Sequence, residues 1–96
     1  MGFVQIIEIT TSRFDEVEAL HEAWLADTEG ERTTVSETIC RDRDRPDTYL
    51  VIVEFPSHEA AMRNNELPAT EKIAAGITEL ADRPPTFRDL DLVRHD

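Results

Sequence analysis

Cysteine, glycine and basic residues are all scarce in this chain of 96 residues. The single cysteine, Cys40, excludes an internal disulfide and a cysteine-rich zinc site. Three glycines leave no glycine-rich phosphate loop. Ten basic residues stand against 21 acidic ones, giving a net charge of −11, and such a surface repels nucleic-acid backbones. No apolar run approaches the length of a membrane-spanning helix. The start, Met1-Gly2-Phe3-Val4-Gln5, lacks the basic residues and apolar stretch of a secretion signal. A cytoplasmic protein without nucleic-acid or membrane partners is therefore expected. The three histidines, His21, His58 and His95, share no ligand spacing on one helix, so no metal site is expected.

What the chain does have is regular patterning. Phe3 to Thr10 is rich in β-branched residues and predicts a strand. Ser12, with Asp15 three residues on, predicts a capped helix start. Phe14, Val17, Leu20, Trp24 and Leu25 then recur on one helical face, and Gly30 is placed to end the element. Thr33 to Arg41 alternates and predicts a second strand. A charged turn ending at Pro46-Asp47 leads into the third, Tyr49 to Phe55. Ser57 predicts a second helix start. Pro68 should break or restart that helix, after which Ile73, Ala74, Ile77, Leu80 and Ala81 share a face. Thr86 to Val93 predicts a last strand. The order is βαββαβ, which implies one α+β, ferredoxin-like domain with a four-stranded antiparallel sheet and helices on one face.

Both faces of that sheet read as apolar. One parity carries Ile7, Ile9, Val51, Val53 and Phe55. The other carries Val4, Ile6, Leu50 and Ile52, joined by Val35, Ile39, Leu90 and Leu92. Helices cover only one face, and a wet sheet face should be polar. A second copy of the chain, related by a two-fold axis, is the expected cover for the face of Val4, Ile6 and Glu8.

The strand Tyr49-Leu50-Val51-Ile52-Val53-Glu54-Phe55, followed by Pro56-Ser57-His58-Glu59-Ala60-Ala61-Met62-Arg63-Asn64-Asn65, resembles the core of the antibiotic biosynthesis monooxygenase-like domains. These belong to the dimeric α+β barrel superfamily. The resemblance implies a homodimer with a small-molecule cavity between sheet and helices in each subunit. It also implies a cofactor-independent oxidation of an aromatic or polyketide-like substrate. Haem-degrading relatives carry a histidine near the end of the helix after the third strand, where this chain has Asn64 and Asn65. No cofactor is expected.

Site candidates follow from residue type and position. Glu8, Glu37 and Glu54 have apolar neighbours; inside a cavity one of them could act as general base, with Glu54 in the central strand the first choice. At strand ends they would instead be solvated or ion-paired, the commoner role for such residues. Asn64 and Asn65 could polarise a ligand oxygen, or cap the helix before Pro68. Trp24 and His21 lie on the apolar helix face and either pack or touch a ligand. Tyr49 could line the cavity or close a strand. A non-catalytic ligand-binding dimer and a cofactor-free isomerase or cyclase remain alternatives, because a fold alone does not choose a reaction.

Overall fold

The computed structural model describes residues 2–96. Four strands and three helices follow in the order β1 (Phe3–Thr10), α1 (Phe14–Asp27), β2 (Ser36–Arg41), β3 (Thr48–Phe55), α2 (His58–Asn65), α3 (Pro68–Leu80) and β4 (Thr86–Asp91). The strands form one antiparallel sheet in the order β2-β3-β1-β4. This is the α+β, ferredoxin-like βαββαβ arrangement. The second helical region is two helices, because Pro68 has no N–H to continue the first and instead serves as an opening residue of the next.

Register sorts the side chains. Ile7 pairs with Val51 and Gln5 with Val53, while Ile6 pairs with Ile52 and Val4 with Glu54. Directly paired residues share a face, so Phe3, Gln5, Ile7 and Ile9 stand with Val51, Val53 and Phe55 beneath the helices. Phe3, Val53 and Phe55 pack with Ala60 and Ala61 of α2 into the buried core. The opposite face carries Val4, Ile6, Leu50 and Ile52. In β2 the pairing Ile39 to Val51 puts Ile39 under the helices, which corrects the expectation that it joins the outer face. A one-residue difference in register is sufficient, since it turns every side chain of the strand over.

The two ends of α1 are held from elsewhere in the chain. Ser12 does not cap it. Thr11, buried, accepts from the Arg13 N–H (3.0 Å) and donates to the Leu80 carbonyl (2.9 Å), tying the start of α1 to the end of α3. The expected Ser12 cap is thus not made: no side chain caps α1, Thr11 instead anchors Arg13 just before the helix, and Ser12 is exposed. At the other end the Trp24 carbonyl accepts from both the Thr28 N–H (3.0 Å) and the Thr28 hydroxyl (2.6 Å), and Arg32 donates to the Leu25 carbonyl (2.9 Å), one of those the helix itself leaves open. Gly30 follows with φ of +82°, a left-handed turn conformation suited to glycine.

Ser57 does cap α2, accepting from the Ala60 N–H at 3.1 Å. Ser57→Ala is expected to cost about 0.5–2 kcal/mol, read as a lower midpoint in urea with an unchanged slope. The β2–β3 turn is closed by Asp42, which accepts from the Asp44 N–H (2.8 Å) and from the Arg45 side chain (3.1 Å). The Asp44 N–H first, and then Arg45, hold the Asp42 carboxyl below its ordinary value.

Candidate functional site

Between the helix-facing side of the sheet and the three helices lies a cavity of about 100 Å³. Its floor is the row Gln5 and Ile7 of β1, Val51 and Val53 of β3, and Glu37 and Ile39 of β2. Over it α1 presents Val17, His21 and Trp24, spaced by four and three residues so that all three lie on one face. Thr70, Ile73 and Ile77 of α3 repeat the same spacing from the other side, and Asn64 and Asn65 enter from the end of α2. The walls are mostly apolar, with a few polar groups converging, which is the usual make-up of a small-molecule site.

Each polar group has a reason for its position. Asn64 is only 4 % exposed, and its Oδ1 accepts from the Thr33 N–H at 3.3 Å. A backbone donor fixes which end of the amide is which, so the Asn64 NH₂ is the end left to donate to a ligand. Thr33 is held in turn by its hydroxyl, which donates to the Ala60 carbonyl at 2.6 Å. The Asn64 side chain therefore ties the strand approach to the helix and does not cap it. Trp24 is 7 % exposed; its indole N–H donates to Thr70 Oγ1 at 2.9 Å. His21 stacks on the Trp24 ring at 5.8 Å between centroids, and the Arg32 guanidinium lies 5.7 Å from the centre of that ring. Among the described residues, no group of three or more His, Cys, Asp or Glu side chains is placed to hold a metal ion. Nor is any helix there long and apolar enough to cross a membrane.

No protein-family model matches the chain, and no curated protein matches it in sequence. Solved structures do match it along nearly its whole length. A Caulobacter crescentus protein provisionally described as an antibiotic biosynthesis monooxygenase superposes with a TM-score of 0.83 at 14% identity, covering 97% of this chain and 91% of that one. SnoaB from Streptomyces nogalater, described as a cofactor-independent oxygenase and crystallised as a point mutant, gives 0.82 at 18% identity, covering 98% and 95%. Rv0793 from Mycobacterium tuberculosis gives 0.80 at 19% identity, covering 99% and 98%. The chain has the fold of the antibiotic biosynthesis monooxygenase-like domains. At such identities the likeness speaks for the backbone, and the contents of the cavity are read from this chain's own residues.

Of the residues singled out from sequence, this monooxygenase-like fold brings five into the cavity: His21, Trp24, Glu37, Asn64 and Asn65. It leaves three outside. Glu54 pairs with Val4 and Ser36 on the outer face of the sheet, so the expectation that it is the cavity base is corrected. Glu8 pairs with Leu50 on the same outer face, and Arg45 lies 3.5 Å from its carboxylate. Tyr49 stacks on Phe14, with ring centroids 3.9 Å apart, and lines an open depression beside Asp47 rather than the cavity. Gln5 and Thr70 were not singled out, yet both line the cavity. Gln5 was visible as the one polar residue on the Phe3-Ile7-Ile9 row; nothing in the sequence distinguished Thr70. Glu37 is the one acid of the three considered that the β2 register turns inward, through its pairing with Val53.

Proposed function

We propose that this protein binds a small aromatic molecule in the cavity and oxidises it with dioxygen without a cofactor. The observation that carries the reading is a mostly apolar chamber into which two proton acceptors, His21 and Glu37, and the Asn64 amide all face. The fold shared with a cofactor-independent oxygenase supports it further. With Glu54 outside, His21 or Glu37 takes the role of base. An imidazole is a suitable acceptor near neutral pH. The substrate is a phenol in its keto form or a related compound with an acidic CH₂. The base removes one proton from carbon, and the resulting carbanion passes one electron to dioxygen. Recombination forms a C–O bond and a hydroperoxide. The base returns the first proton to the peroxide and then removes the second C–H proton. As that C–H electron pair forms the carbonyl, the O–O bond breaks and the outer oxygen leaves as hydroxide, which takes up that proton to become water. One CH₂ and one O₂ give one C=O and one H₂O. The Asn64 NH₂ faces the cavity and can donate to the oxyanion that forms when the proton leaves carbon.

Oxygen-electrode assays with substituted one-ring phenols and hydroquinones test this. One O₂ is expected per substrate. His21→Gln or Glu37→Gln should lower kcat by about 10²–10⁴ if that residue is the base. Asn64→Ala should lower kcat by roughly 10²–10³. Ligand-dependent thermal stabilisation without any oxygen uptake would instead assign the cavity to binding alone.

The same proposal includes a homodimer. It is supported by the outer sheet face, where half-buried Val4, Ile6, Leu50 and Ile52 lie on the two central strands. A patch of that kind on a sheet whose helices all lie opposite is best covered by a second copy, through an interface in which the same residues meet.

A further inference from the structure

We propose that the cavity is a size filter that admits one aromatic ring and rejects fused ring systems. The inference rests on the reading of the cavity as a ligand site and adds the substrate class. Its first support is volume. The cavity measures about 100 Å³, against roughly 300–1,000 Å³ for common ligand pockets. An apolar cavity of about 150 Å³ holds a benzene ring. One ring with small substituents is therefore near the limit, and three fused rings exceed it.

Small volume matters only if the walls cannot retreat, and here they are pinned. Near its N-terminus, α3 is fastened to α1 by the Trp24–Thr70 hydrogen bond (2.9 Å). In its middle, Gly76 lets the two helices close on one another: a Cβ at that position would lie 2.7 Å from Leu20 Cδ1. At its C-terminal end, the Leu80 carbonyl accepts from the Thr11 hydroxyl (2.9 Å) at the end of β1. The side wall is fixed too, because Asn64 and Ala60 of α2 hold Thr33 at 3.3 and 2.6 Å. Lifting α3 to admit a larger ligand would break contacts along its whole length. The cheaper response is to exclude that ligand.

Isothermal titration or thermal-shift measurement with hydroquinone, 1,4-naphthohydroquinone and anthrone reads the filter directly. Wild-type protein is expected to bind the one-ring probe at least tenfold more tightly than the three-ring probe, with the two-ring probe between. Ile77→Ala should narrow that difference by enlarging the cavity; Ile73→Ala does the same from one turn earlier and stands in if the first variant does not fold. Equal or tighter binding of anthrone by wild type would overturn the size filter while leaving the ligand-site reading intact. Binding of none of the three would overturn both.

Discussion

Replacing Ile52 with lysine is expected to split the proposed dimer into monomers. Ile52 sits on the outer face of a central strand, paired with Ile6 on one side and Thr38 on the other. In a two-fold interface each substitution appears twice, so two ammonium groups would be buried against apolar neighbours without partners. The penalty for each unpaired buried charge is several kcal/mol. Even about 4 kcal/mol, less than that sum, raises Kd by roughly a thousandfold. Light scattering at micromolar concentration should show the mass halve, while circular dichroism stays that of the folded chain, because this face is already open in a single copy. Val35→Lys, at an exposed position before β2, is expected to leave the mass unchanged. The Ser36–Glu54 pairing puts the residue before Ser36 on the parity of the helix side, correcting the expectation that Val35 joins the outer face. A wild-type chain that is already monomeric, or an Ile52→Lys chain that remains dimeric, would refute the sheet-face interface.

Much of the fold was legible because each signal was local. Alternation marked β1 and β3, Ser57 marked the start of α2, and Pro68 separated α2 from α3. β2 was less legible in a specific way. Its sequence, Ser36-Glu37-Thr38-Ile39-Cys40-Arg41, offers one acid and one apolar residue to one face and small residues to the other, so its alternation does not say which face is inside. Only pairing with β3 decides, and it turns Glu37 and Ile39 toward the helices. Thr11 as the anchor just before α1 was hidden for a related reason: its hydroxyl is also needed by Leu80, which lies 69 residues away.

The site divided along the same line. His21 and Trp24 were readable from helical spacing with Val17, because one face of α1 had to meet the sheet. Glu54 was misread against evidence in its own strand. It stands two residues from Ile52, and alternation places both with Val4 and Ile6, outside the cavity. Grouping it with Glu8 and Glu37 as acids obscured that. Asn64 was recognised by residue type, but its fixation by Thr33 spans 31 residues and could not be read from either segment. Long-range partners decide which polar groups enter the cavity, and short-range patterns decide only which element carries them.

Trp24 is where the stability of the chain and the shape of its cavity should prove inseparable. Trp24→Ala removes a buried indole, and truncating such a side chain costs about 3–5 kcal/mol. In a domain of this size each kcal/mol corresponds to roughly 4–8 °C in melting temperature, so the midpoint should fall by about 15–30 °C. The loss should exceed simple ring removal, because Thr70 loses its donor and His21 and Arg32 lose the ring they lie against. Trp24→Phe separates the contributions. It retains an aromatic ring but leaves Thr70 Oγ1 without the indole donor, an expected cost of about 1–3 kcal/mol. If the hydrogen bond is what holds α3 down, Trp24→Phe should also accelerate amide hydrogen exchange through the first turns of α3 without affecting β1 or β3. Thr70→Val should reproduce that local exchange pattern from the other side of the bond. Faster exchange spread evenly over the whole chain in both variants would show instead that Trp24 contributes only bulk to the core, and the pinned roof over the cavity would lose its first fastening.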